Sequence, residues 1–473
     1  MKKKSIIGMI VLFSMIVFTF TSCENDTSSC TDCDTCPTCE TCDVCETCEV
    51  CEICPTCETC EVCETCEVCE ICPTIEETYT IGGTVSGLAG TLILGNSTDL
   101  ETITEDGTFT FSSKVKDTNS YSVFVDTNPS GQSCLLKNNS GTVQSGNVSN
   151  IKVVCNTPGT LDSQFNSIGI IVKSDITGNG DQHEEINGIA VDSVNNLYAV
   201  GYTDNGSDDD VIIFCFDEDG NLNTSFGTGG YLLLDSIAGG SNEEARAIVI
   251  DDNDNIYITG YSSNGSDDDM FVLKINSEGV FDTTFGTNGI ALFDGAVSAG
   301  HPDIGEAIIL DSDNKVVVTG QAGNTRHMTL WRLNTDGSLD TSFNSTGIIT
   351  KSNTIPGNSG DRGFDVKIDK NNKIVVGGYG EKFGSDDDMI IWRYNTDGTP
   401  DTTFNTVGYV IHDNAAGGSA DDNGYSLAID KNNTIYIAGE SRNGSGNDDI
   451  VVWSYTSLGV LNSAFDGDGM FMY

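Results

Sequence analysis

Positive charge is scarce in this chain. Lys and Arg total 22 against 71 Asp and Glu, a formal net charge of −49 over 473 residues. Such a balance excludes binding nucleic acid or an anionic lipid surface by charge, because both need a basic patch. Histidine is as sparse: four residues, His183, His301, His327 and His412, with no common spacing. No HExxH, no G-x-S-x-G and no glycine-rich phosphate loop occurs, and His183-Glu184-Glu185 lacks the second His of a zinc helix. Proline (8) and tryptophan (3) are few, and long apolar runs are confined to the first residues. What is abundant is glycine (53), in a chain only 20% charged, which suits a turn-rich all-β protein.

The one apolar run, Ser5 to Phe20, follows Lys2-Lys3-Lys4 and precedes Phe20-Thr21-Ser22-Cys23. Basic start, apolar core and small residues are the order of a secretory signal peptide. A run of about sixteen residues is short for a membrane span. The small residues before Cys23 resemble the lipobox of bacterial lipoproteins, with Phe20 where most carry Leu. That resemblance implies lipidation of Cys23 after removal of residues 1–22, and a lipid anchor in an exported, outer-membrane setting, periplasmic or surface-exposed.

Residues 23–75 are expected to be an acidic stalk. Fifteen of the 19 cysteines lie at every third position from Cys30 to Cys72, and residues 45–56 and 63–74 are identical. This is low complexity with too little apolar surface for a core. In an extended chain, thiols three residues apart are about 9 Å apart. A disulfide needs Cα atoms within about 7 Å, so CxxC bridges demand a kinked rod. Three readings compete: a disulfide-stiffened stalk, favoured by an oxidising exterior, cross-links between chains, and capture of a soft metal by thiolates.

Residues 76–157 change character. Short β-forming segments such as Thr108-Phe109-Thr110-Phe111 and Tyr121-Ser122-Val123-Phe124-Val125 are separated by Gly, Asn and Asp, as in a small β-sandwich. The stretch TIGGTVSGLAGTLIL with the closing VVC resembles a sandwich module of exported bacterial proteins that acts as a spacer before repeats. That resemblance implies a disulfide between Cys134 and Cys155, with two buried thiols as the alternative.

From residue 158 to 473 the chain repeats. The phenylalanine of an L-D-x-x-F motif falls at Phe165, Phe226, Phe285, Phe343, Phe404 and Phe465, in steps of 61, 59, 58, 61 and 61 by subtraction. Each unit holds four short strands: one after the Phe, one entering an Asp (Ile248-Val249-Ile250-Asp251), one ending in Gly (Gly201, Gly260, Gly320, Gly378, Gly439), and one carrying Phe214, Leu273, Trp331, Trp392 or Trp453. Four strands per repeat predict propeller blades, five of them; in propellers the final strand often completes the first blade and hides the edges, which leaves one copy of the post-Phe strand spare, either Ile170 to Val172 or the C-terminal Met470 to Tyr473. Leu339-Asp340-Thr341-Ser342-Phe343, Ile374 to Gly378, and Trp392-Arg393-Tyr394-Asn395 with Asp397-Gly398 resemble the delta-60 repeat family of bacterial surface proteins. The resemblance implies a propeller-like fold and little about activity.

Acidic loops recur before the Trp-bearing strand. They make Asp208, Asp210, Asp267, Asp269, Asp386 and Asp388 candidate Ca²⁺ ligands, carboxylates being hard donors. A solvated acidic rim is the competing reading, because nothing in the sequence makes these loops converge. The tryptophan column reads as core between blades rather than a sugar platform, and Cys215 as a buried thiol. No residue is singled out as catalytic. The chain is therefore expected to be a non-enzymatic, membrane-anchored lipoprotein presenting a propeller to a protein or glycan. The alternatives are a propeller-based polysaccharide hydrolase or lyase, which would work through paired carboxylates, and a thiol-rich metal-binding or redox stalk.

Overall fold

The computed structural model describes residues 77–473 except 98, 158, 163–164, 174–175, 178–182, 383–385 and 418–420. The signal segment, Cys23 and the cysteine tract lie outside the described residues.

Two four-stranded sheets open the described chain. One pairs Gly107–Thr110, Ile81–Ser86, Val148–Asn156 and Ser133–Lys137; the other pairs Asp99–Ile103, Leu92–Asn96, Ser120–Thr127 and Ser140–Thr142. Their inward side chains, among them Ile81, Leu92, Leu94, Val123 and Ile151, are fully buried in one core. This is the small sandwich. Cys134 and Cys155 stand directly opposite each other on adjacent strands and are joined by a disulfide.

Five four-stranded antiparallel blades follow. Their first strands are Glu184–Val191, Glu243–Ile250, Asp303–Leu310, Asn358–Ile368 and Asp422–Ile429. Each first strand turns into the second through an Asx-nucleated hairpin. In the second blade Asp251 Oδ1 accepts from the backbone N of Asn253 and of Asn255, both at 2.9 Å, and Asp254 takes φ +59°. Asn and Asp at such turns provide their own hydrogen bonds and tolerate the left-handed region.

The blades pack face to face in chain order. One face of each blade offers its phenylalanine and the alternate residues of its second and third strands to the next blade. Tyr198, Val200, Ile213 and Phe226 of the first blade meet Ile256, Ile258, Phe271 and Leu273 of the second, all completely buried. Trp331, Trp392 and Trp453 are buried within these junctions. Their column is core, because a large flat side chain fills the gap between two twisted sheets.

The last strand does not complete the first blade. Met470–Met472 pairs with Asp448–Tyr455 of its own blade rather than with the first blade. Among the described residues, the fifth blade has no packing on the first comparable to that between successive blades. Residues 170–172, the spare segment, form no strand, and Ile171 packs onto the first blade. The two ends of the array consequently expose apolar side chains: Ile189 (67%) and Val191 (57%) at one, Ile450 (58%) and Phe471 (44%) at the other.

Candidate functional site

The glycine expected to end each second strand lies inside it, the strand running on past Gly201 to Asp204 and past Gly260 to Ser263, and its recurrence from blade to blade has a specific cause. A Cβ on Gly260 would lie 1.8 Å from the carbonyl oxygen of Glu244, and the same close approach recurs at Gly201, Gly320, Gly378 and Gly439. The first strand crowds in there because it bulges. Its register skips one residue in every blade: Asn187, Arg246, Glu306, Phe364 and Tyr425 have no partner on the second strand. A bulge re-aims the extra side chain out of the sheet pattern. The framework around these five residues repeats; the residues themselves do not.

Four of the five come together. Arg246 pairs with Glu244 at 2.7 Å and lies over the ring of Tyr261, 5.5 Å from its centroid. Tyr261 donates its hydroxyl to Glu244. Glu306, on the next blade, is pushed above the ordinary carboxylate range by burial, while the neighbouring Arg246 and Arg362 favour its ionised form. Arg362 reaches Glu381 at 2.8 Å and covers Tyr379 at 5.6 Å. Phe364 stacks on Tyr379, centroids 5.3 Å apart, and meets Tyr425 edge-on at 5.6 Å. Tyr425, 41% exposed, donates to Glu440 at 2.8 Å. Burial pushes the Tyr379 phenol up to about 12, so it stays a neutral donor. Asn187 has a structural role: its Nδ2 donates to the Ala245 carbonyl at 3.0 Å, holding the first blade to the second.

This face therefore carries two guanidinium groups, a half-buried carboxylate between them and a cluster of three aromatic rings. Rings offer flat apolar faces; guanidinium and carboxylate groups offer directional hydrogen bonds to hydroxyls or carboxylates. Sequence reasoning missed the site because it looked for repeated residues. The available signal was the opposite: one column that changes chemistry in every repeat while the second-strand glycine beside it, Gly201, Gly260, Gly320, Gly378 or Gly439, stays constant.

The acidic loops are placed differently from expectation. Ligand oxygens of Asp210, Asp235 and Glu243 lie within 4.8 Å of one another, as do those of Asp267, Asp269 and Asp294 and those of Asp386, Asp388 and Asp413. Asp208 is not in the first group; its Oδ1 accepts from Asn205 Nδ2 at 2.5 Å. Asp235, Glu243, Asp294 and Asp413 escaped the sequence reading because each comes from the chain well beyond the acidic loop. Burial raises the Asp210 and Asp269 carboxyls and pushes Glu243 up to about 7 and Asp303 up to about 6. Cys215 is a buried free thiol, raised by burial.

Three segments, residues 253–285, 312–343 and 370–404, match a family described as a domain of unknown function (DUF5122) beta-propeller. Each runs from the hairpin turn to the phenylalanine of blades two, three and four, which supports a propeller repeat domain. No curated protein matches the chain. Solved structures that match include Sqt1 from Chaetomium thermophilum (9% identity, 59% of this chain, 60% of that chain, TM-score 0.33). A gluconolactonase from Xanthomonas campestris matches at 11% identity over 59% of this chain and 78% of that chain, TM-score 0.30. An exo-beta-1,3-galactanase from Clostridium thermocellum matches at 11% identity over 63% of this chain and 61% of its own, TM-score 0.30. The chain thus spans 60% of Sqt1 and 61% of the galactanase. Likenesses this distant carry no argument about chemistry.

Proposed function

We propose that this protein is an exported, lipid-anchored lipoprotein whose propeller binds a glycan. The lipid at Cys23 holds it to the membrane, and residues 23–75 and the sandwich act as spacers. One observation carries the binding reading. The bulge column places Arg246, Glu306, Phe364 and Tyr425 on neighbouring blades, with the Phe364–Tyr379–Tyr425 rings in mutual contact. Aromatic faces next to Arg and Glu suit a sugar, whose ring has apolar C–H faces and a rim of hydroxyls; the two guanidinium groups favour one that bears a carboxylate. The test is a screen of the full chain against neutral and uronic-acid oligosaccharides. Selective binding of oligosaccharides is the expected result. Retention of none overturns the reading, and turnover of a bound one moves it to a hydrolase with Glu306 as the acid.

A further inference from the structure

We infer that a Ca²⁺ ion binds between the first and second blades, held by Asp210, Asp235 and Glu243. Three separate stretches supply the ligands. Asp210 is on the third strand of the first blade, Asp235 follows the fourth strand of that blade, and Glu243 begins the first strand of the second. Their ligand oxygens lie within 4.8 Å of one another. Oxygens on opposite sides of a calcium ion are about 5 Å apart, twice the usual bond length, so one ion fits among the three.

A group of carboxylates alone would be unremarkable on so acidic a protein. Here two are almost wholly inside it: Asp210 is 3% exposed and Glu243 0%. Each has one oxygen fixed by a neighbour and the other left without a partner. Asn205 Nδ2 holds Asp210 Oδ2 at 3.0 Å, and Ser262 Oγ holds Glu243 Oε1 at 2.9 Å. Among the described residues Asp210 Oδ1 and Glu243 Oε2 have no hydrogen-bond partner, although the Ser236 backbone N–H lies close enough to favour the charged Glu243 carboxylate. Buried oxygens in that state carry a large desolvation penalty. A divalent cation removes it, and three carboxylates with no nitrogen or sulfur select a hard ion. Asp235 is exposed, which leaves a side open for ion entry and for the water ligands that calcium needs beyond three side chains.

The chain also shows the alternative construction. Between the third and fourth blades the positions of Asp269 and Asp294 are His327 and Ser352, and the aspartate there, Asp361, accepts from Thr354 Oγ1 at 2.6 Å. At the second junction Asp269 accepts from Asn264 through both oxygens, so the inference is confined to the first.

The test uses the full chain stripped with EDTA and titrated with CaCl₂, by calorimetry and by thermal melting. The native chain is expected to bind, with its melting temperature rising by several degrees. Glu243→Gln, which keeps the side-chain shape, is expected to lose one bound ion per chain or at least tenfold in affinity for one. Asp235→Asn, at an exposed side chain, is expected to do the same, and serves if Glu243→Gln does not fold. Absence of heat and of a melting shift up to about 10 mM, beyond the range of weak extracellular calcium modules, overturns the inference. So does binding whose stoichiometry and affinity neither variant changes.

Discussion

Phe165 lies against Gly220 as Phe226 lies against Gly279. A Cβ on either glycine would meet the phenylalanine ring at 3.2 Å, and in both cases the residue after the Phe donates its backbone N–H to the turn before the glycine (Asn166 to Asp219, 2.7 Å; Gly227 to Glu278, 3.0 Å). The segment before the first blade thus occupies on that blade the place each blade's own phenylalanine loop takes on the next. The corresponding loop at the far end, with Phe465, is left half-buried, whereas Phe226, Phe285, Phe343 and Phe404 are completely buried.

These glycines are tight twice over, and that gives a stability prediction. Gly279 has φ +80°, and a Cβ there would press on Leu232, Gly227 and Phe226. Gly229 has φ +70° but open space around it. Gly229→Ala should cost only the left-handed penalty, about 1–2 kcal/mol, and Gly279→Ala clearly more, because the blade junction must also give way. Urea denaturation of the two variants checks this. Equal midpoints would mean that the phenylalanine–glycine contact does not lock the blades.

The sandwich has its own lock. Removing both Cys134 and Cys155 as alanines should destabilise it by about 3 kcal/mol, the usual effect of opening a loop of roughly twenty residues. The comparison is native against double variant in urea, with tyrosine exposure as the readout. An unchanged midpoint would show that the bond adds nothing to the closely packed sheets.

Stability should also depend on pH in a defined direction. Burial raises Glu243 to about 7 from 4.5, and Asp303 and Asp387 to about 6 from 3.8. A carboxyl with a raised folded pKa stabilises fully below its unfolded value and loses that contribution as pH climbs through the folded one. The metal-free chain should therefore melt at progressively lower temperature from about pH 4 to about pH 7. Asp282 acts on the acid side: Lys274, at 2.8 Å, and Thr284 hold it at about 2, so its contribution fades as pH falls from 3.8 towards 2. Melting curves in EDTA across this range check the account, which a rise in melting temperature from pH 4.5 to 7 would contradict.

The N-terminal expectation is accessible to mass spectrometry. Membrane-extracted protein should begin at an acylated Cys23, and the tract should alkylate only after reduction. Fifteen cysteines from Cys30 to Cys72 leave at least one without an intrachain partner within the tract. An unacylated chain beginning elsewhere would contradict the anchor, and thiols that alkylate without reduction would turn the tract into a metal or redox element.

How much was legible in advance followed from what repeats. The spacing of Phe226, Phe285, Phe343 and Phe404 reveals the blade period because each of these rings meets the same kind of surface. The Gly260 column is visible for the same reason: every blade has the same crowding carbonyl. Which of residues 170–172 and Met470–Met472 forms a strand was not legible, because strand pairing depends on which segment reaches a blade edge rather than on local sequence. Asp235 and Glu243 were not legible as partners of Asp210, since junction geometry rather than sequence spacing brings them together. The bulge residues Arg246, Glu306, Phe364 and Tyr425 were hidden by their very lack of repetition.

The most direct test of the binding reading is calorimetric titration of an oligosaccharide retained in the screen into the native chain, Tyr425→Ala and Arg246→Ala. A control, Asp313→Asn, alters an exposed hairpin turn outside the bulge column. Losing one stacking ring or one guanidinium should weaken binding about tenfold, equivalent to about 1.4 kcal/mol, with the control unchanged. Native affinity in both Tyr425→Ala and Arg246→Ala would contradict the assignment of the bulge column as the binding site.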